Sequence, residues 1–262
     1  MEDRRWRGWD NAEIYDRFVR ERRIYSWLNE RLVERAALGD ARRVLDLGCG
    51  TGATTQACLA LLPADAEVVG VDQSLEMVEV ARAQTLDPRA SFVVAEAGAA
   101  AAALEGTFDR AVSNAAFWQF PDRPKVLAGL SSVLAPGARF VFNVPAERVE
   151  SAPFHPFQVA LARAIESRTG AAFVRTSTPF DPERFAAEVR PFGLELLAQE
   201  RLEYEGPQGE LVELMEIPAM IAPLTEELDE AATREVLAEA AAATDPKERV
   251  RVAWLYLTLQ RN

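Results

Sequence analysis

The sequence predicts an α/β fold built on a doubly wound, mostly parallel sheet. Three observations carry that expectation. Between Arg43 and Val144, short apolar runs alternate with stretches of helical spacing, the pattern of strand-helix-strand units. The first run, Arg43 to Leu47, enters a glycine-rich turn, Gly48-Cys49-Gly50-Thr51-Gly52, and then a helix. The second, Val68-Val69-Gly70-Val71, closes on Asp72, at the spacing of roughly 20 residues expected of an acid that accepts ribose hydroxyls.

The elements follow in order. Residues 11–37 carry an apolar stripe (Ile14, Phe18, Tyr25, Leu28, Leu32, Val33) among arginines and glutamates, so a helical segment should pack on the sheet edge or over the ligand. The helix expected over residues 51–62 points its N-terminal amides into the glycine turn, where missing Cβ atoms let a ligand approach the backbone. Ser74 is a suitable cap for a helix running to Gln84. Residues 91–95 form the third strand, residues 97–104 a short alanine-rich helix and residues 108–113 the fourth strand. Asn114 to Phe120 then lies at the carboxyl end of the sheet, where doubly wound folds bind ligands. A helix over 121–134, a Pro136-Gly137 turn and a fifth strand over 139–144 follow. Residues 145–190 read as an insertion, with a proline-punctuated turn at Pro153 to Pro156 and helices over 157–168 and 182–189, the second capped by Asp181. A sixth strand in 191–204, helices over 207–221 and 225–243, and a last strand over 250–260 complete the chain.

Val44 to Gly52, followed by Asp72, resembles motif I and the acidic loop of the class I S-adenosylmethionine-dependent methyltransferases; the cofactor is called SAM below. The resemblance covers about residues 41–144 and, more loosely, the remainder. Asp46 discriminates: two positions before the first glycine, nicotinamide-binding units usually carry an apolar residue, whereas the methyltransferases carry an acid. The resemblance implies a Rossmann-like seven-stranded sheet with an antiparallel last strand. It also implies an N-terminal helical lid (1–40) and a SAM-binding domain (41–262), the latter with a cap inserted after strand five (about 145–190) and a helical segment (about 207–243).

The resemblance also assigns the cofactor contacts. Tyr15, in Ala12-Glu13-Ile14-Tyr15-Asp16, would close over the methionine carboxylate. Asp46 would help hold the methionine end, the Asn114 backbone would contact its amino group and Asp72 would accept the ribose hydroxyls, with Gly48, Cys49, Gly50 and Gln73 as further cofactor-binding residues. Met77 would pack on the adenine, and Glu96 with Ala97 would meet its amino group, with Glu96 standing where the family commonly has aspartate. Phe117 and Trp118 would face the acceptor. For Tyr15, Met77 and the two aromatics, plain packing is the alternative.

The resemblance implies methyl transfer to a small molecule by in-line displacement, at an oxygen of a natural-product intermediate or a carboxylic acid. Ser113 to Trp118 loosely resembles a segment of trans-aconitate and malonyl-carrier methyltransferases, without fixing a substrate. The alternatives are a SAM-binding protein that transfers no methyl group, such as a SAM-assisted cyclase or a non-catalytic subunit, and a nicotinamide-dependent oxidoreductase. His155 is the only histidine. Its near-neutral pKa makes it a candidate general base for a protonated acceptor, although a lone loop histidine is more often incidental.

A net charge of −12 argues against nucleic acid or an anionic membrane as partner, because cations drive such binding. Cys49 and Cys58 suggest neither a disulfide framework nor a metal site. The acidic pairs of metal-dependent catechol-type enzymes are missing after the fourth strand. No apolar run reaches membrane-spanning length, and Met1 to Trp6 lacks the apolar core of a secretory leader. A cytoplasmic protein is therefore expected.

Overall fold

The computed structural model describes residues 5–146, 155–172 and 180–262. Helices α1 (Trp9–Glu21) and α2 (Arg23–Ala36) precede the sheet. Then come β1 (Arg43–Leu47), α3 (Ala53–Leu59), β2 (Glu67–Asp72), α4 (Leu75–Gln84) and β3 (Ala90–Val94). β4 (Phe108–Ser113), α5 (Arg123–Val133), β5 (Leu134–Pro145), α6 (Pro156–Thr169) and α7 (Pro182–Val189) follow. β6 (Leu194–Pro207), α8 (Gly209–Met215), α9 (Pro218–Ile221), α10 (Glu230–Ala242) and β7 (Arg249–Arg261) end the chain. The seven strands lie in the order β3-β2-β1-β4-β5-β7-β6. β1 to β5 pair in parallel, and β7 runs antiparallel to both β5 and β6, as expected for the last strand.

Successive strand residues face opposite sides of a sheet, and here both sides are covered. Val44, Val68, Val112 and Val141 pack with α2 and α3 on one face. Leu45, Leu47, Val69 and Val71 pack on the other face with Phe140 and Phe142, under α5 and α7. A parallel sheet covered on both faces reads as continuous apolar runs, which is why β1 and β2 stand out in the sequence.

Three segments differ from expectation. The N-terminal segment is two helices, broken at Arg22, which is extended (φ −109°, ψ 133°). Tertiary contacts hold the break: the Arg22 guanidinium pairs with Glu213, and the Arg23 N–H donates to Glu210 Oε1 at 3.0 Å. The alanine-rich run is a 3-10 helix, Ala97–Ala103. The insertion also divides. α7 returns to the sheet through Phe185 and Val189, whereas α6 packs with α8, α9 and α10 around Phe157, Leu161, Leu211, Ile221 and Val236. Pro153 and Phe154 of the expected turn lie outside the described residues. Among the described residues no helix is long and apolar enough to cross a membrane.

Candidate active site

Strand order reverses at β1, between β2 and β4, the position at which an open α/β sheet leaves a crevice beyond its carboxyl ends. A cleft of about 480 Å³ lies there. Its floor is the glycine turn, tied down where the Gly48 and Cys49 N–H groups donate to the Val71 carbonyl at 2.8 and 3.0 Å. Gly48 and Gly50 have φ of +76° and +52°, and neither position has room for a side chain. A Cβ on Gly48 would stand 2.6 Å from Ala116 Cβ, and one on Gly50 3.0 Å from the Tyr15 ring. The turn is thus clasped between the N-terminal helices and the segment after β4.

Asp72 joins this turn to the next one. Its Oδ2 accepts from the Gly50 N–H at 3.0 Å and its Oδ1 from the Ser74 N–H at 2.9 Å. Burial pushes its carboxyl up, and these backbone donors oppose the rise. Ser74 caps α4 by accepting from the Met77 N–H at 3.3 Å, which places Gln73 and the buried Met77 on the same wall as Ala95, Glu96 and Ala97. Lys125 closes that wall, its stem lying against Gly98.

Asp46 sits beneath the turn, fully buried. Thr55 Oγ1 donates to its Oδ2 at 2.7 Å, while its Oδ1 is buried without a hydrogen-bond partner. Burial pushes this carboxyl up to about 7, against the pull of Thr55. A buried orphan oxygen costs free energy unless a donor or cation is supplied, and a ligand with a positive end would supply one.

Aromatic residues roof the opposite side. Trp6 meets Tyr15 edge to face at 5.7 Å, and Tyr15 meets Tyr25 in the same way at 5.6 Å. Burial raises the Tyr15 hydroxyl well above its ordinary range, and Tyr25 and Asp72 add to the shift. The Trp6 indole N–H donates to Gln119 Oε1 at 2.8 Å, bridging the cleft mouth, and Gln119 Nε2 donates to the Ala115 carbonyl at 3.0 Å. Ala115 has φ of +53°, a conformation that costs a residue with a Cβ about 1–2 kcal/mol. The Ala115 N–H is held by Asn143 Oδ1 at 2.6 Å.

A family model described as a methyltransferase domain matches residues 44–137, the stretch that builds this cleft. This match and the relatives that follow support a class I SAM-dependent methyltransferase. The chain is 36% identical over 152 residues to a trans-aconitate 2-methyltransferase of Methylobacterium radiotolerans, covering 58% of this chain and 55% of that one. A trans-aconitate 2-methyltransferase of Deinococcus radiodurans is 37% identical over 136 residues, covering 52% and 49%. The chain thus matches about half the length of these curated relatives. A SAM-dependent methyltransferase of Geobacter sulfurreducens, solved with S-adenosyl-L-homocysteine, superposes with a TM-score of 0.55 over 95% of this chain and 98% of that one. At 17% identity this likeness speaks for the fold alone.

Of the residues that resemblance to the methyltransferases singled out, Tyr15, Gly48, Gly50, Asp72, Gln73, Met77, Glu96, Ala97 and Asn114 line the cleft. Asp46 lies behind the wall. The Cys49 side chain turns into a small core with Val78, Ala81 and Phe92, and burial raises its thiol well above the ordinary range. The acceptor wall differs from expectation. Phe117 is fully buried against Phe140, Phe142 and Phe185, and Trp118 is 41% exposed; neither lines the cleft. Ala116, Gln119 and Phe120 do. Residues 117–119 form a 3-10 turn, in which side chains three apart share a face, so Gln119 falls beside Ala116. That periodicity is the signal by which the sequence could have found Gln119. Trp6, Tyr25 and Lys125 were also missed. His155 immediately precedes α6 and is not among the cleft-lining residues. Among the described residues no group of three or more His, Cys, Asp or Glu could hold a metal ion.

Proposed function

We propose that the chain transfers a methyl group from SAM to a carboxylate oxygen of a small organic acid. The observation that carries the cofactor reading is the joined cradle, in which the Gly50 N–H donates to Asp72 across the mouth of the glycine turn. The cleft, at about 480 Å³, is of the size that takes such a ligand. The methionine end would lie by Tyr15, Gly50 and Asn114, with the orphan oxygen of Asp46 behind it. The ribose would lie at Asp72 and the adenine between Met77 and Glu96–Ala97. The curated relatives, named for trans-aconitate, support a carboxylic acid as acceptor.

SAM supplies a methyl group on a sulfonium, with a neutral thioether as leaving group. The protein's part is to align the acceptor oxygen and to exclude water. Alignment alone can lower a barrier by about 7–11 kcal/mol. The Trp6, Tyr15 and Tyr25 roof and the Gln119–Phe120 wall, which line the cleft, would do both. A carboxylate is already ionised at neutral pH, so transfer to it requires no general base, and no histidine is among the described residues that line the cleft.

The test is incubation with methyl-labelled SAM and a panel of mono-, di- and tricarboxylic acids, trans-aconitate included. The expected product is a labelled ester that mild alkali releases as methanol. Alkali-stable label, or none transferred to any acid while SAM binds, would refute the acceptor class.

A further inference from the structure

Four buried residues from different elements form one hydrogen-bonded chain behind the cleft. Thr54 Oγ1 of α3 donates to Asn29 Oδ1 of α2 at 2.7 Å, and Asn114 Nδ2 donates to the same oxygen at 2.9 Å. Asn143 Nδ2 of β5 donates to Asn114 Oδ1 at 2.7 Å, and Asn143 Oδ1 accepts from the Ala115 N–H. Asn29, Asn114 and Asn143 are each at most 6% exposed. Each bond in this chain constrains the orientation of the next amide, and a connected buried network of this kind favours one arrangement.

The chain ends on the Asn114–Ala115 peptide. β4 lies between β1 and β5. The Ala115 N–H points toward Asn143 on β5, and no peptide bond in the described chain is cis. In a trans peptide the carbonyl points opposite to the N–H. The Asn114 carbonyl is therefore directed toward the β1 side, where Gly48 and Gly50 form the cleft floor. The left-handed Ala115 is the conformation that keeps it there.

We propose that Asn143 and Asn29 are positioning residues, which hold the Asn114 carbonyl as an acceptor for the ammonium of the cofactor's amino-acid end. The inference rests on the SAM reading of the cleft and adds to it the residues that orient the contact. Neither asparagine lines the cleft, so neither would touch the ligand.

The experiment compares two ligands in equilibrium binding: S-adenosylhomocysteine, and methylthioadenosine, which keeps the nucleoside and the thioether but lacks the amino-acid end. Asn143→Ala should weaken S-adenosylhomocysteine about tenfold, the scale of one lost hydrogen bond to a charged group, and methylthioadenosine less than about twofold. Adding Ala115→Gly should recover part of the loss, because glycine takes a positive φ without steric cost. Asn29→Ala, which cuts only the far end of the chain, should move affinity in the same selective direction and serves if Asn143→Ala does not fold. Equal loss of both ligands, or no loss of either, would overturn the positioning role while leaving the cofactor reading intact. A wild-type protein that binds neither ligand would overturn both.

Discussion

Asp46→Asn should flatten the pH dependence of stability in the absence of cofactor. The Asp46 carboxyl is fully buried, with one oxygen bonded to Thr55 and the other bare, and burial raises it from an ordinary 3.8 to about 7. Because the folded-state value is the higher one, the folded protein keeps between about pH 4 and 7 a proton that the unfolded chain has released. Stability from this group is therefore complete below about pH 4 and is lost as pH rises to about 7. A shift of about 3 units corresponds to about 4 kcal/mol, or roughly 8–16 °C in melting temperature for a domain of this size. Asparagine is isosteric, keeps an acceptor for Thr55 and does not titrate. Calorimetric melts from pH 5 to 8 should show the wild type falling more steeply than the variant, with the largest separation above pH 7. Asp72 is raised in the same direction and adds to the Asp46 shift; it remains in both proteins, so the difference curve reports Asp46 together with that coupling. Parallel curves, or a wild type stabilised by rising pH relative to the variant, would refute the assignment of a proton to this site.

Three further outcomes are expected. Asp72→Ala should weaken SAM binding by about 1–3 kcal/mol through lost charge-assisted hydrogen bonds; unchanged affinity by calorimetry in a folded variant would remove the ribose assignment. Gly50→Ala forces a side chain to φ of +52° and to 3.0 Å from the Tyr15 ring. It should lower stability by about 1–2 kcal/mol and displace Tyr15, read as a lower melting temperature together with weaker SAM binding; loss of neither would contradict the clasped turn. His155→Ala should leave the turnover of a carboxylate acceptor and its pH–rate profile unchanged, and a large rate loss with an altered profile would return His155 to the role of base.

The parts of the molecule legible in the sequence are those set by local pattern. Val44, Leu45, Leu47 and Val68 to Val71 are apolar or small on both faces because helices cover both sides of the sheet, and Gly48 and Gly50 line the cleft where a Cβ would meet Ala116 and Tyr15. Asp72 was legible from spacing, and its bond to the Gly50 N–H shows why the spacing matters: the acid braces the turn it follows. What escaped was set by distant partners. The break at Arg22 is held by Glu210 and Glu213, 187 and 191 residues from their partners. The Asn29, Asn114 and Asn143 chain joins three elements through residues that individually look like ordinary polar positions. The aromatic pair after β4 was legible as lying at the ligand end of the sheet. Its direction was not, because a 3-10 turn sends Phe117 into the core and Trp118 outward and gives the wall to Gln119.

The most direct test of the central claim is a competition titration of the wild-type protein with SAM, S-adenosylhomocysteine and NAD. SAM and S-adenosylhomocysteine should saturate one common site per chain, and NAD should not displace them. Failure of both SAM ligands to bind, or preferential binding of NAD, would contradict the reading of the Gly48 to Asp72 cradle on which the proposed chemistry stands.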